Sequence, residues 1–172
     1  YNTITNAYLD GAYSLEEALN VNPFAGLSFM PVIENNVAQL GNAKELIMFS
    51  SLVNAGIGNT LDAVLTGDID MAGVTFYAPI GYATPSTLNN YGGEITVPGY
   101  QGVFDGRGYS IKNLTATYNS NYASSGVFGN NSGTIRNLII DNYVFEFGDR
   151  AAYSGRHAAI CGQNLPGGLI EN

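Results

Sequence analysis

Charge is scarce in this sequence. Asp, Glu, Lys and Arg make up 12% of its 172 residues, about half the usual share for a soluble domain. The six basic residues are Lys44, Arg107, Lys112, Arg136, Arg150 and Arg156, against a formal net charge of −8. No basic stripe can neutralise phosphates, so nucleic-acid binding is not expected, and an anionic membrane surface would repel the chain. A single cysteine, Cys161, excludes an internal disulfide and says little about compartment. No apolar run approaches the roughly 18 residues of a spanning helix, so membrane insertion is not expected. The opening "YNTITNAYLDG" lacks a basic segment followed by an apolar one. The expectation is that a leader has been removed or that the chain is a piece of a longer protein.

Catalytic motifs are missing too. There is no Gly-x-Ser-x-Gly elbow, no HExxH pair, no DxDxDG-type calcium loop, and one histidine, His157. What fills the sequence instead is 45% apolar residues, 22 Gly, 12 Tyr and abundant Asn. That mixture supplies a core together with turn-rich β structure, because Gly and Asn accept left-handed backbone and Tyr packs on pleated surfaces.

The pattern is repetitive. "GVFDGRGYSIKNL" at 102–114 returns as "GVFGNNSGTIRNL" at 126–138, matching at Gly102/Gly126, Phe104/Phe128, Ile111/Ile135, Asn113/Asn137 and Leu114/Leu138, all at a spacing of 24. A third copy, "AAICGQNLPGGLIEN" at 158–172, carries Cys161, Ile170 and Asn172 at the corresponding places. Short strands bent at Asn or Gly and recurring at such a period predict an all-β fold, a parallel β-helix in which each turn is the template for the next. The spacing sets Phe104 on Phe128 on Cys161, Ile111 on Ile135 on Ile170, and Asn113 on Asn137 on Asn172. An antiparallel sandwich with similar hairpins is the less favoured alternative.

Residues 42–62 read as a capping helix and lead-in. Asn42 caps it, Leu46, Phe49, Leu52 and Val53 share a face, and Gly56 stops it. Residues 63–172 then form the β-helix, with "AVLTGDIDMAG" (63–73) as its first turn. Within 1–41, whose role the residues leave open, Ser14 and Glu17 suggest a short helix, and 25–33 an extended strand interrupted by Pro31.

"NAKELIMFSSLVNAG", "LTGDIDMAG" and the three repeat copies resemble the GLUG-repeat proteins, bacterial surface and secreted chains named for a Gly-Leu-any-Gly signature. Gly126-Val127-Phe128-Gly129 carries the match with Val for Leu, and Ala159-Ile160-Cys161-Gly162 more loosely, over about residues 42–172. The resemblance implies a right-handed β-helix, as in cell-surface adhesins and in non-catalytic regions of immunoglobulin A1-specific metallopeptidases. Family members usually continue into another strand where this sequence has Asn172, so further β-helix turns from the same or another chain are expected to complete the stack.

Several residues could carry chemistry. Asp68 and Asp70 share a strand face by alternation, and Asp105 lies in a Gly-flanked turn; together they are the candidate acids, or calcium ligands, of a polysaccharide-cleaving enzyme. The favoured reading of all three is as turn and bend residues. Cys161 takes a Phe position and reads as packing. The insertion 146–157 gathers Arg150, Tyr153, Arg156 and His157, and the loop at 82–94 holds Tyr91. Exposed Tyr and Arg on a projecting loop suit contacts to a host or surface glycan or protein. The leading expectation is a non-enzymatic, extracellular adhesive or structural module of the bacterial surface, without cofactor or metal. The alternative is a carbohydrate-active enzyme, a lyase or glycoside hydrolase, on the same fold.

Overall fold

The computed structural model describes residues 30–74, 78–81, 99–117, 124–146 and 156–172. Over these the chain is mostly β, with a single helix among the described residues. The predicted helix at 14–20 and most of the extended segment at 25–33 lie outside them. Of the latter, Val32–Glu34 is a strand, β1, which pairs antiparallel with β2 (Val37–Leu40) across a two-residue turn. Asn35 and Asn36 occupy that turn at φ 51° and 64°. Two consecutive left-handed residues make the tight hairpin turn that matches strand twist, and Asn tolerates that backbone.

Helix α1 (Ala43–Asn54) follows with the ends its sequence encodes. Asn42 Oδ1 accepts the Glu45 N–H at 3.1 Å, and the Glu45 carboxylate reaches back to the Gly41 N–H at 2.7 Å. At the other end Gly56 sits at φ 78°, Gly56 N–H bonds Val53 O, and Ile57 N–H bonds Leu52 O. That pattern closes the orphan carbonyls of the last turn and places buried Ile57 against buried Leu52. Phe49, fully buried, projects from α1 to within 5.9 Å of the Tyr100 ring and 6.2 Å of Phe104.

The remaining strands are β3 (Asp62–Leu65), β4 (Ile69–Asp70), β5 (Val103–Asp105), β6 (Ser110–Lys112), β7 (Thr115–Thr117), β8 (Ser124–Ser125) and β9 (Phe128–Asn131). They continue as β10 (Thr134–Arg136), β11 (Ile139–Asp141), β12 (Val144–Glu146), β13 (Arg156–His157), β14 (Cys161–Asn164) and β15 (Leu169–Glu171). Five sheets collect them: β1-β2-β3-β5-β10-β15, β4-β6-β11, β7-β12, β8-β13 and β9-β14. Every pairing except β1 with β2 is parallel. The strands β5 to β9 visit the five sheets in one order, and β10 to β14 visit them again in that order.

In several strands register is visible in alternating burial. Phe104, Ile111 and Ile135 are buried to within 1% of complete, while Asp105 and Arg136 beside them face outward. Asn113, Asn137 and Asn142 turn the corners between strands at φ 56°, 51° and 54°, where a short polar side chain tolerates the left-handed backbone. The starts of β5 and β10 are tighter still. A Cβ on Gly133 would meet Gly102 O, and one on Gly102 would meet Leu61 O. Only glycine permits that approach.

The columns differ from those set by the 24-residue spacing. Phe104 lies beside Ala63 and Ile135, not Phe128. Ile111 lies beside Ile69 and Ile140, not Ile135. Asn113 bonds Asp70 and Asn142, not Asn137. Phe128 does pair with Cys161, and Ile135 with Ile170. Asn137 donates its backbone N–H to Glu171 O, next to Asn172. The physical reason is that 102–114 forms β5 and β6, whereas 126–138 forms β9 and β10, four strands further along the same succession of sheets. Phe104 and Phe128 nevertheless touch, edge to face with centroids 5.0 Å apart. They meet across the core rather than along a column.

Candidate functional surface at the strand corners and open edge

The three candidate acids sit at corners, and each is occupied by the neighbouring strand layer. Asp68, just before β4, accepts from the Ser110 N–H at 2.9 Å, the Ser110 hydroxyl at 3.0 Å and Lys112 Nζ at 2.7 Å. The Lys112 bond, followed by those from Ser110, pulls its pKa from 3.8 to about 2. Asp70 accepts from Asn113 Nδ2 at 2.8 Å and from the Ala72 N–H at 2.9 Å, which lower its pKa in that order. At Asp105 burial pushes the carboxyl up, but bonds from Asn137, the Arg107 N–H and Arg136 outweigh it and hold it low. All three are ionised acceptors at neutral pH. A general acid needs the opposite shift, towards protonation near the working pH.

The corners therefore form polar ladders that run from layer to layer. In one, Asn142 Nδ2 donates to Asn113 Oδ1 at 2.7 Å, and Asn113 Nδ2 donates to Asp70. In another, Asn137 Nδ2 donates to Asp105 at 3.0 Å while Arg136 Nε pairs with the other carboxylate oxygen at 2.9 Å. Sequence reading singled out the acids and missed their partners, Lys112 and Arg136. The available signal was the triplet series Ile69-Asp70-Met71, Ile111-Lys112-Asn113 and Ile140-Asp141-Asn142.

Beside the Asp105 corner lies an open groove of about 500 Å³, lined by Asp105, Arg107, Asn137, Leu138 and Ile139 among others. Among the described residues, no group of three or more His, Cys, Asp or Glu side chains is arranged to hold a metal ion. Of the loop residues expected to make contacts, Arg150, Tyr153 and Tyr91 lie outside the described residues. Arg156 is exposed in β13, and the half-buried His157 packs its ring 4.5 Å from that of Phe145. Burial lowers the His157 pKa. Cys161 is half-buried, with Sγ 3.2 Å from Gln163 O; burial pushes its thiol up to about 11, far from a reactive thiolate. Among the described residues, no helix is long and apolar enough to cross a membrane.

The far edge of the layers is bare by comparison. Ile139, Val144, Leu169 and Ile170 are 51%, 41%, 46% and 40% exposed. They belong to β11, β12 and β15, each with a strand neighbour on one side only among the described residues.

No protein-family model matches this chain, and no curated protein does. Among solved structures the chain is similar to a "putative immunoglobulin A1 protease" from Bacteroides ovatus, at 21% identity and a TM-score of 0.47. That similarity covers 72% of this chain, which spans only 36% of the other protein's length.

Proposed function

We propose that this chain is a non-enzymatic structural or adhesive module, wound as a right-handed parallel β-helix, that works outside the cell on a bacterial surface protein or fibre. Support for the winding comes from the chain's two passes through five sheets in one order, in parallel register. A closed succession of turns accounts for that order, with α1 sealing its beginning.

The observation that carries the non-enzymatic reading is the engagement of Asp68, Asp70 and Asp105. Each carboxylate is held ionised by donors from the next layer, so its chemistry is spent on joining layers. The module needs neither cofactor nor metal for this, calcium included. Its partners are a host or surface glycan or protein at the projecting loops, and further β-helix turns at the bare edge. The resemblance to GLUG-repeat surface chains agrees with this reading.

A glycan-array and host-protein binding screen, run beside a polysaccharide-degradation assay, tests it. The expected result is binding without degradation, unaffected by chelator. Degradation abolished by Asp68→Asn or Asp105→Asn would overturn it.

A further inference from the structure

Outward-facing positions along the sheets alternate in charge, and they do so twice. In β4-β6-β11, Asp70 pairs in register with Lys112, and Lys112 with Asp141. In β5-β10-β15, Asp105 pairs with Arg136, and Arg136 with Glu171. Both columns run acid, base, acid, and both end on an acid at the bare edge. Among the described residues neither Asp141 nor Glu171 makes an ion pair, whereas Asp68–Lys112 and Asp105–Arg136 do.

The amide ladder has a direction as well. Asn142 uses its Nδ2 to donate to Asn113, and Asn113 uses its Nδ2 to donate to Asp70. Each step donates towards β4, so Asn142 Oδ1 is turned over as an acceptor for whatever lies beyond. Next to it, β11 and β12 expose Ile139 and Val144 along an edge where, among the described residues, strand pairing is seen on one side. An unpaired strand edge with apolar side chains is a template for another strand.

We infer that the β11–β12 edge docks a parallel strand–corner–strand segment of a partner polypeptide, reading apolar–Lys/Arg–Asn, with its cation over Asp141 and its amide on Asn142. The partner segment is not one that a second copy of these 172 residues supplies. Its own two segments of that chemistry are Ile111-Lys112-Asn113 and Ile135-Arg136-Asn137. They lie in β6 and β10, which already have neighbours on both sides, so a second folded copy cannot present them. A chain of net charge −8 also repels itself. This inference rests on the proposed reading that further turns add at this edge, and it specifies what such a turn must carry.

The test is a titration of the isotope-labelled 172-residue chain, followed by amide NMR, with the peptide SIKNLTAT, the sequence of residues 110–117. SIENLTAT, with glutamate in place of the lysine, is the comparison. The expected result is shift changes confined to Ile139–Glu146 and binding at least about threefold tighter for the lysine peptide at low salt, as for an exposed charge pair. Asp141→Asn is expected to erase the preference and Asp141→Lys to reverse it, each variant giving a folded spectrum. Equal binding of the two peptides would overturn the charge rule while leaving strand addition standing. Absence of shifts at millimolar peptide would overturn the docking itself. Concentration-dependent broadening of β11 and β12 in the protein alone would put a second copy on the edge and overturn the choice of partner.

Discussion

The two ends of the six-stranded sheet are built on different terms. At one end β1 is three residues long, runs antiparallel to all that follows and comes directly after buried Pro31, with α1 packing its apolar face nearby. Short, reversed, proline-flanked strands are how sheets discourage addition at an edge. At the other end β15 runs with its neighbours, its residues are all exposed, and its apolar side chains face solvent. The difference teaches that the stack has a polarity. On the proposed reading, reversal disfavours extension on one side and continuity favours it on the other.

The sharpest way to break this comparison is to remove the anchor at the helix-bearing end. Phe49→Ala deletes a fully buried ring between Tyr100 and Phe104. It is expected to cost about 3–5 kcal/mol, measured by urea unfolding. An equal truncation at the open end, Ile170→Ala, is expected to cost less than about 1 kcal/mol, because a side chain already 40% exposed returns little area to water. Equal losses at the two sites would erase the distinction.

Next in size is the corner test. Asn113→Val places a β-branched residue at φ 56° and removes two ladder bonds. It is expected to cost about 2 kcal/mol, and Asn113→Gly, which keeps the backbone, is expected to cost less. At the helix start, Asn42→Ala removes the acceptor of the Glu45 N–H and is expected to cost about 1 kcal/mol in thermal melts.

The smallest effect is in the pH profile. Asp68, Asp70 and Asp105 all have folded pKa values below the ordinary carboxylate value. Their contribution to stability is therefore complete above that value and is lost as the pH falls through the folded one. For Asp68 the window runs from 3.8 down to about 2. Urea midpoints are expected to be level from neutrality to about pH 4 and to fall below it. Lys112→Met is expected to flatten part of that fall.

Local signals were the most legible in the sequence. Asn42 and Gly56 act on backbone within a few residues of themselves, so the helix and its ends could be read directly. Corner asparagines were legible for the same reason. The columns were harder, because similarity between two segments does not say whether they lie one above the other or on facing sheets. Copies at 126–138 and 158–172 do lie side by side, hence Phe128 with Cys161 and Ile135 with Ile170. The copy at 102–114 starts on a different sheet, and Phe104 meets Phe128 across the interior. A truer repeat was Gly102-Val103-Phe104, Gly133-Thr134-Ile135 and Gly168-Leu169-Ile170, hidden by unequal spacing. The acids' partners were invisible because they depend on which strand is alongside, a property of register rather than of composition.

The glycines that begin β5 and β10 carry one more implication. Where the carbonyl of one layer occupies the volume a methyl group would need, that line of the surface is closed to every other residue type. The corners, by contrast, already vary in length: the one at 106–109 has two residues more than its neighbour at 137–138. New recognition residues can therefore accumulate on the corner faces while the glycine seam stays mute. The same backbone contact that holds neighbouring layers together thus decides which side of the molecule is free to diversify.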